Sequence, residues 1–180
     1  MAEMTSDDVL QKVAEAATDS AAKQYDDYSK TFVALDGKGQ AASTVGSVLL
    51  GFIVAMANSG KFNAQLKDPV FLLVLALQIG AALYAILFGV LASRVRLVHV
   101  PYDAEAQIEE FKNLYAARAD VAQSNLIAFH ASRHKQWKKS LESMSQAIES
   151  KGCRVGHAQW AAVACAVLTV TALVVALLSK

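Results

Sequence analysis

The chain has 180 residues, of which 54% are hydrophobic, with a mean hydropathy of +0.32 and a formal net charge of +1. So small and apolar a chain leaves little room for a separate soluble fold, and a charge near zero gives no overall field to recruit a nucleic acid polymer. The two prolines, Pro69 and Pro101, fall at element edges, and abundant Ala, Leu, Lys and Glu predict an all-α protein.

Taken from the start, Glu3, Asp7 and Asp8 do not read as a cleaved signal peptide. Thr5-Ser6-Asp7-Asp8 reads as a helix start, with a hydroxyl cap and acids facing the positive end of the dipole. Val9, Val13, Ala16, Ala17, Ala21, Tyr25, Tyr28, Phe32 and Leu35 follow at three-to-four spacing, an apolar stripe on one helix. Residues 1–38 are thus expected to form an N-terminal amphipathic helix. Gly37 and Gly39 bracket Lys38 at its end, where glycine most easily permits a bend, so a hinge is expected there.

Three uncharged stretches come next: Gly39–Gly60, Pro69–Ser93 and Ala158–Ser179. About 20 helical residues cross a hydrocarbon core of about 30 Å, and only helices or closed barrels satisfy their own backbone groups there. Continuous runs of Leu, Val, Ala, Ile and Phe select helices, so the chain reads as an integral membrane protein with three transmembrane helices. The expected organisation is a first span at 39–60, an external loop at 61–68, a second span at 69–93, a helical segment at 94–157 and a third span at 158–179. The last is read as a true span, not a removable lipid-anchor signal. Small residues recur every fourth position in each span: Ser43, Ser47, Gly51 and Ala55; Ala81, Ala85, Gly89 and Ser93; Ala158, Ala162 and Ala166. In lipid, such stripes let helix backbones approach closely, within one bundle or between copies in a homo-oligomer.

Between Asp103 and Lys151 there is neither Gly nor Pro. Ile108, Phe111, Tyr115, Ala119, Ala122, Leu126, Phe129, Trp137, Leu141, Met144 and Ile148 keep mostly to helical spacing, with Arg133 interrupting the stripe. Since both ends of this segment join spans, a long amphipathic helix broken once, around Ala128–Arg133, is expected. Trp137, Phe111 and Tyr115 are expected in its core.

Lysine and arginine set the orientation. Four lie in the N-terminal segment and ten in Arg94–His157, against two between the first spans and one at Lys180. Fourteen against three places the N-terminus and the 94–157 segment in the cytoplasm and the C-terminus outside. The N-terminal segment is acidic and 94–157 basic, which predicts that the two pack together. Cys153 and Cys165 are too far apart in depth to bridge and read as free thiols.

Arg133, Lys135, Lys138 and Lys139, with His134, surround Trp137 in a basic cluster. Such a cluster suits a phosphate-bearing ligand or an acidic lipid head group, or else a solvated face paired with the acidic helix. His130 and His134 have two-histidine metal spacing, but no Cys, Asp or Glu completes a site and flanking cations repel a metal, so no metal site is expected. Gln78, Ser43, Thr44, Ser47, Thr169 and Thr171 are the intramembrane polar groups, expected to bond between helices. No Asp, Glu, Lys or Arg lies deep in a span, which argues against a charge-coupled transporter. No nucleophile elbow, phosphate loop, paired-acid or zinc spacing occurs, so neither enzymatic activity nor a cofactor is expected.

The stretch Phe32-Val33-Ala34-Leu35-Asp36-Gly37-Lys38-Gly39-Gln40-Ala41, running into the first span, resembles an element of small bacterial membrane effectors. These are the Pycsar-type transmembrane effectors and related two-span effector domains of nucleotide-activated antiphage systems. In them an Asp-x-Lys-Ala element follows a cytoplasmic helix and precedes two close spans. A long amphipathic helix comes next and, in the Pycsar type, a final span. Gly39 stands here in place of the Ala, while the order and lengths of elements match over nearly the whole chain. The resemblance implies an inner-membrane protein that senses a cyclic nucleotide or a sensor partner through its cytoplasmic helices and then disrupts the membrane. Asp36, Gly37, Lys38 and Gly39 would form its hinge, and Arg133, Lys135, Lys138 and Lys139 would engage the ligand phosphate. A constitutive scaffold or accessory subunit that holds a cytoplasmic partner, without pore activity, is the alternative.

Overall fold

The computed structural model describes residues 6–58, 67–94, 98, 109 and 119–178. These form three helices and no strand: α1 (Ser6–Asn58), α2 (Pro69–Ser93) and α3 (Ala119–Leu178). Each is long and apolar enough to cross a membrane, so the multi-pass reading of the sequence holds. Most of the 61–68 loop, the stretch around Pro101 and the stripe residues Ile108, Phe111 and Tyr115 lie outside the described residues.

Local chemistry accounts for the start of α2. The Asp68 carboxylate accepts a hydrogen bond from the Val70 amide at 2.9 Å, and its carbonyl accepts from the Leu72 amide at 3.0 Å. Pro69 occupies the first helical position, where a missing N–H costs nothing. The second apolar stretch therefore begins at a defined cap.

Two expectations about long helices change. The helix carries through Gly37 and Gly39 without interruption, so the amphipathic segment and first span share one element. The break expected at Ala128–Arg133 is absent, and α3 continues through these residues into the third span. No glycine or proline stands at 128–133, and Phe129 and Trp137 lie buried on either side of Arg133. The Arg133 guanidinium folds over the Phe129 ring at 4.6 Å from its centroid, so the cation covers the seam instead of breaking it.

The helices pack on seams of heptad spacing. On α3 the buried positions are Trp137, Ser140, Met144, Ala147, Lys151 and Val155, continuing through Ala158, Ala162, Cys165, Thr169, Ala172 and Ala176. Steps of three and four keep one face of a helix turned to its neighbours, the spacing of left-handed helix bundles. On α2 the seam is Phe71, Gln78, Ala82, Ala85, Gly89 and Ala92.

The chain divides into two compact units. The first takes in residues 1–31 and 96–148, to which α1 and α3 each contribute a part. In it the Tyr25 ring meets the edge of Trp137 at 5.6 Å between centroids, packing the acidic N-terminal helix on the basic segment as expected. Val9, Val13 and Ala16 are exposed, so the buried stripe of this part of α1 runs instead through Ala14, Ala17 and Ala21 towards Tyr25 and Tyr28. The exposed Lys30 pairs with Asp26 one turn away, whose hydrogen bond and charge raise its pKa above the usual lysine value.

The second unit comprises residues 32–95 and 149–180 and contains the apolar lengths of all three helices. Within it α1 and α2 approach closely. A Cβ added to Gly89 would lie 2.6 Å from the Gly39 carbonyl oxygen and 2.8 Å from Ser43 Cβ. One added to Gly46 would lie 3.0 Å from the Ala82 carbonyl oxygen and 3.2 Å from Ala85 Cβ. The close approach expected of small residues is therefore real, but its register on α1 differs. Gly39, Ser43 and Gly46 meet α2, so of the expected stripe Ser43 takes part, whereas Ser47, Gly51 and Ala55 are exposed. The four-residue stripe drifts around a helix of 3.6 residues per turn, and the heptad register replaces it.

The expected bonding between spans falls on one pair. Gln78 donates from Nε2 to Thr169 Oγ1, joining α2 to α3, and Thr169 donates onward to the Cys165 carbonyl. The Cys165 thiol in turn approaches the Gln78 carbonyl at 3.5 Å. Thr44, Ser47 and Thr171 bond only to carbonyls one turn back in their own helices. Cys153 is exposed and Cys165 buried, both as free thiols.

Candidate functional site at the buried Asp36–Lys151 pair

Lys151 occupies a seam position on α3 and is only 4% exposed. A buried ammonium requires compensation, because desolvation of an unpaired charge costs several kcal/mol. Two groups of α1 supply it. Asp36 Oδ1 lies 2.6 Å from Lys151 Nζ, and the Phe32 ring, one turn earlier, lies beneath the same ammonium at 3.4 Å to its centroid. One cation is thus held between a carboxylate and an aromatic face, both presented by the same side of α1.

Neighbouring groups tie α2 to α3 at the same level. One turn from Lys151, Arg154 donates to the Leu91 carbonyl of α2 at 3.1 Å. That carbonyl belongs to the last turn of α2, where helix carbonyls lack intrahelical donors and a cation is favoured by the dipole. His157 lies beside Phe88 and Tyr84, with ring centroids 5.5 and 6.4 Å away. The three helices are therefore linked at one level, where the uncharged length of α2 ends and those of α1 and α3 are about to begin.

The site residues expected from sequence divide between this cluster and the first unit. Asp36 lies at its centre. Gly39 serves close packing against Gly89 and Ala92, whereas a Cβ at Gly37 would meet nothing within 4 Å. Lys38 is exposed and lines a cleft that includes neither Asp36 nor Lys151. In the first unit Lys135, Lys138 and Lys139 are exposed and share one face of α3 by their spacing. Arg133 is half-buried, with its guanidinium over the Phe129 ring. Among the described residues no group of three His, Cys, Asp or Glu could hold a metal.

Lys151 is the candidate site residue that the sequence reading counted only among the ten basic residues of Arg94–His157. A signal for it existed: it falls seven residues after Met144, at a core position of the seam, where a lysine requires an anion on the facing helix. Its partner could not be read, since pairing across 115 residues of sequence depends on how α1 and α3 align.

Compared with known proteins, the chain matches no family model, no curated protein and no solved structure. The physical reading of the cluster therefore stands on its own residues. Chemically the cluster offers no nucleophile poised beside a base. It offers a charge-stabilised contact between helices whose integrity depends on both partners.

Proposed function

We propose that this chain is an inner-membrane effector of a bacterial defence system. Its N-terminus and 94–157 segment face the cytoplasm and its C-terminus lies outside. A cytoplasmic signal, a cyclic nucleotide or a sensor partner, acts on the helices of the first unit, and the spans respond by associating and breaching the membrane. The observation that carries the reading is the Asp36–Lys151–Phe32 contact. A buried ion pair stabilises weakly for its cost, and the best-attested use of such a pair is to fix register or to serve as a switch. Here it fixes the register of α1 against α3, the two helices that also contribute to the first unit.

In this reading the pair restrains the resting state, and Ser47, Gly51 and Ala55, which the helices leave exposed, form the face for association between copies. The basic residues Arg133, Lys135, Lys138 and Lys139 would receive the ligand phosphate. Neutralising all four should abolish cyclic nucleotide binding to the detergent-solubilised protein in calorimetry. Unchanged affinity removes that assignment.

The test of the effector reading is membrane potential in expressing cells, followed with a voltage-sensitive dye. The wild-type chain should be silent without its signal, whereas Asp36→Asn, lacking the restraint, should depolarise. A specific observation favours the scaffold alternative: Val9, Leu10 and Val13 of the first unit are 44%, 52% and 61% exposed, an apolar surface for a soluble partner. If both forms leave the potential intact while the chain co-purifies with a cytoplasmic protein, the scaffold reading replaces the effector.

A further inference from the structure

Beside the ion pair, α1 and α3 diverge enough to leave an open cleft of about 510 Å³. Its walls are Ala41 and Val45 of α1 and Ala162 and Ala166 of α3, all within apolar lengths of helix. Alanine side chains leave the space unfilled, and no described side chain of α2 enters it. In a bilayer such a space is not left to water, because the surrounding solvent is hydrocarbon. An acyl chain is the fitting occupant for the apolar length of the cleft.

The polar end of the cleft narrows the choice of lipid. Lys38 and Gln159 line that end. Among the described residues Lys38 pairs with no carboxylate, while Asp36, two residues earlier, is committed to Lys151. An exposed ammonium therefore stands above an apolar trough, with an amide donor across from it. Next to Gln159, Trp160 is 76% exposed. An outward indole adjoining an apolar span is the residue of the headgroup belt, which places Lys38 and Gln159 at the depth of lipid phosphates. Basic positions between transmembrane helices at that depth suit anionic headgroups.

We infer that the α1–α3 cleft is a binding site for an anionic phospholipid, with one acyl chain lying along Ala41, Val45, Ala162 and Ala166 and the headgroup phosphate held by Lys38 and Gln159. The site stands apart from the effector reading and requires only that the three helices cross a bilayer. It uses a lysine that the ion pair leaves unengaged. It also accounts for an open cleft between α1 and α3.

Trp160 makes the site measurable. The full chain is reconstituted into vesicles of phosphatidylcholine and phosphatidylglycerol in equal amounts, with either one or the other lipid brominated on its acyl chains. Tryptophan quenching then reports which lipid resides beside Trp160, and a Trp137→Phe form isolates its signal. Brominated phosphatidylglycerol should quench with a preference of about five-fold over brominated phosphatidylcholine, the worth of one lysine at an anionic surface. Lys38→Gln should bring the ratio close to one, and Lys38→Arg should retain it. Ala162→Val, Ala166→Leu and Ala41→Leu, made singly, should lower the preference by filling the trough, with Lys38 untouched. Equal quenching by both lipids in the wild type overturns the site, as does a preference that survives Lys38→Gln. Weak quenching by both lipids, with a dimer in light scattering, overturns it in favour of a second copy of the chain.

Discussion

Replacing Asp36 by Asn removes one charge while keeping the shape of the side chain, and it isolates the energetic role of the Lys151 pair. In the wild type the Lys151 side chain is 5% exposed and that of Asp36 31%, with the charges 2.6 Å apart. Breaking a fully buried pair by removing one partner costs about 3–5 kcal/mol, whereas exposed pairs contribute about 0–1 kcal/mol. The partial exposure of Asp36 discounts the first figure, and the Phe32 ring retains about 1 kcal/mol of attraction for the orphaned ammonium. A loss of about 2–3 kcal/mol follows. For a chain of this size each kcal/mol shifts the melting temperature by about 2–4 °C, so Asp36→Asn should melt about 5–10 °C lower. The readout is the monodisperse fraction remaining in size-exclusion chromatography after stepwise heating in detergent. The decisive partner is the double variant Asp36→Asn with Lys151→Met, in which the buried charge is gone and methionine can pack against Phe32. It should return to within about 1 kcal/mol of the wild type, since an apolar replacement of a buried pair is often neutral or better. If the single variant melts with the wild type, or the double variant melts as low as the single, the ammonium is not held by this contact and the reasoning fails.

The α1–α2 contact makes a sharper steric prediction. Gly89→Ala places a methyl 2.6 Å from the Gly39 carbonyl oxygen and should cost about 1–3 kcal/mol in the same heating assay. Gly51→Ala and Gly80→Ala meet nothing within 4 Å and should be neutral or stabilising by up to about 1 kcal/mol. Equal losses at all three positions would refute the packing. For the buried polar pair, a double-mutant cycle of Gln78→Leu and Thr169→Val should give a coupling of about 0.6–1.7 kcal/mol, the range for such bonds in membranes. A coupling of zero means the two side chains do not meet. Across Tyr25 and Trp137, Trp137→Ala should cost about 3–5 kcal/mol, because the indole is 5% exposed at the seam. A loss below about 1 kcal/mol would show that the N-terminal helix does not pack there.

Much of the architecture is legible without coordinates. Three uncharged runs longer than a bilayer crossing are a property of composition along the chain, and neither packing nor partners can undo it. The edges of the second run are equally local, since Asp68 and Pro69 cap it by their own chemistry. Helical spacing places Trp137 in a core, and the opposite charges of the two amphipathic segments predict that they pack together, as Tyr25 and Trp137 do. Local signals misled where the consequence of a residue depends on a neighbour. Arg133 looked like an interruption because it stands on an apolar stripe, yet its guanidinium sits over Phe129 and the helix passes through.

What tertiary structure alone decided is which faces meet. Small residues line more than one side of α1, and sequence spacing cannot choose between Ser47–Gly51–Ala55 and Gly39–Ser43–Gly46. The choice is made by the backbone of α2, whose Gly89 and Ala82 carbonyl approach only the second set. The same alignment brings Lys151 under Asp36 and Phe32 and leaves Lys38 beside an open cleft. Lipid exposure follows from hydrophobicity summed along one helix, which a sequence states directly. Pairing of charges follows from the rotation and offset of two helices, and those are fixed only when every contact between them is satisfied together.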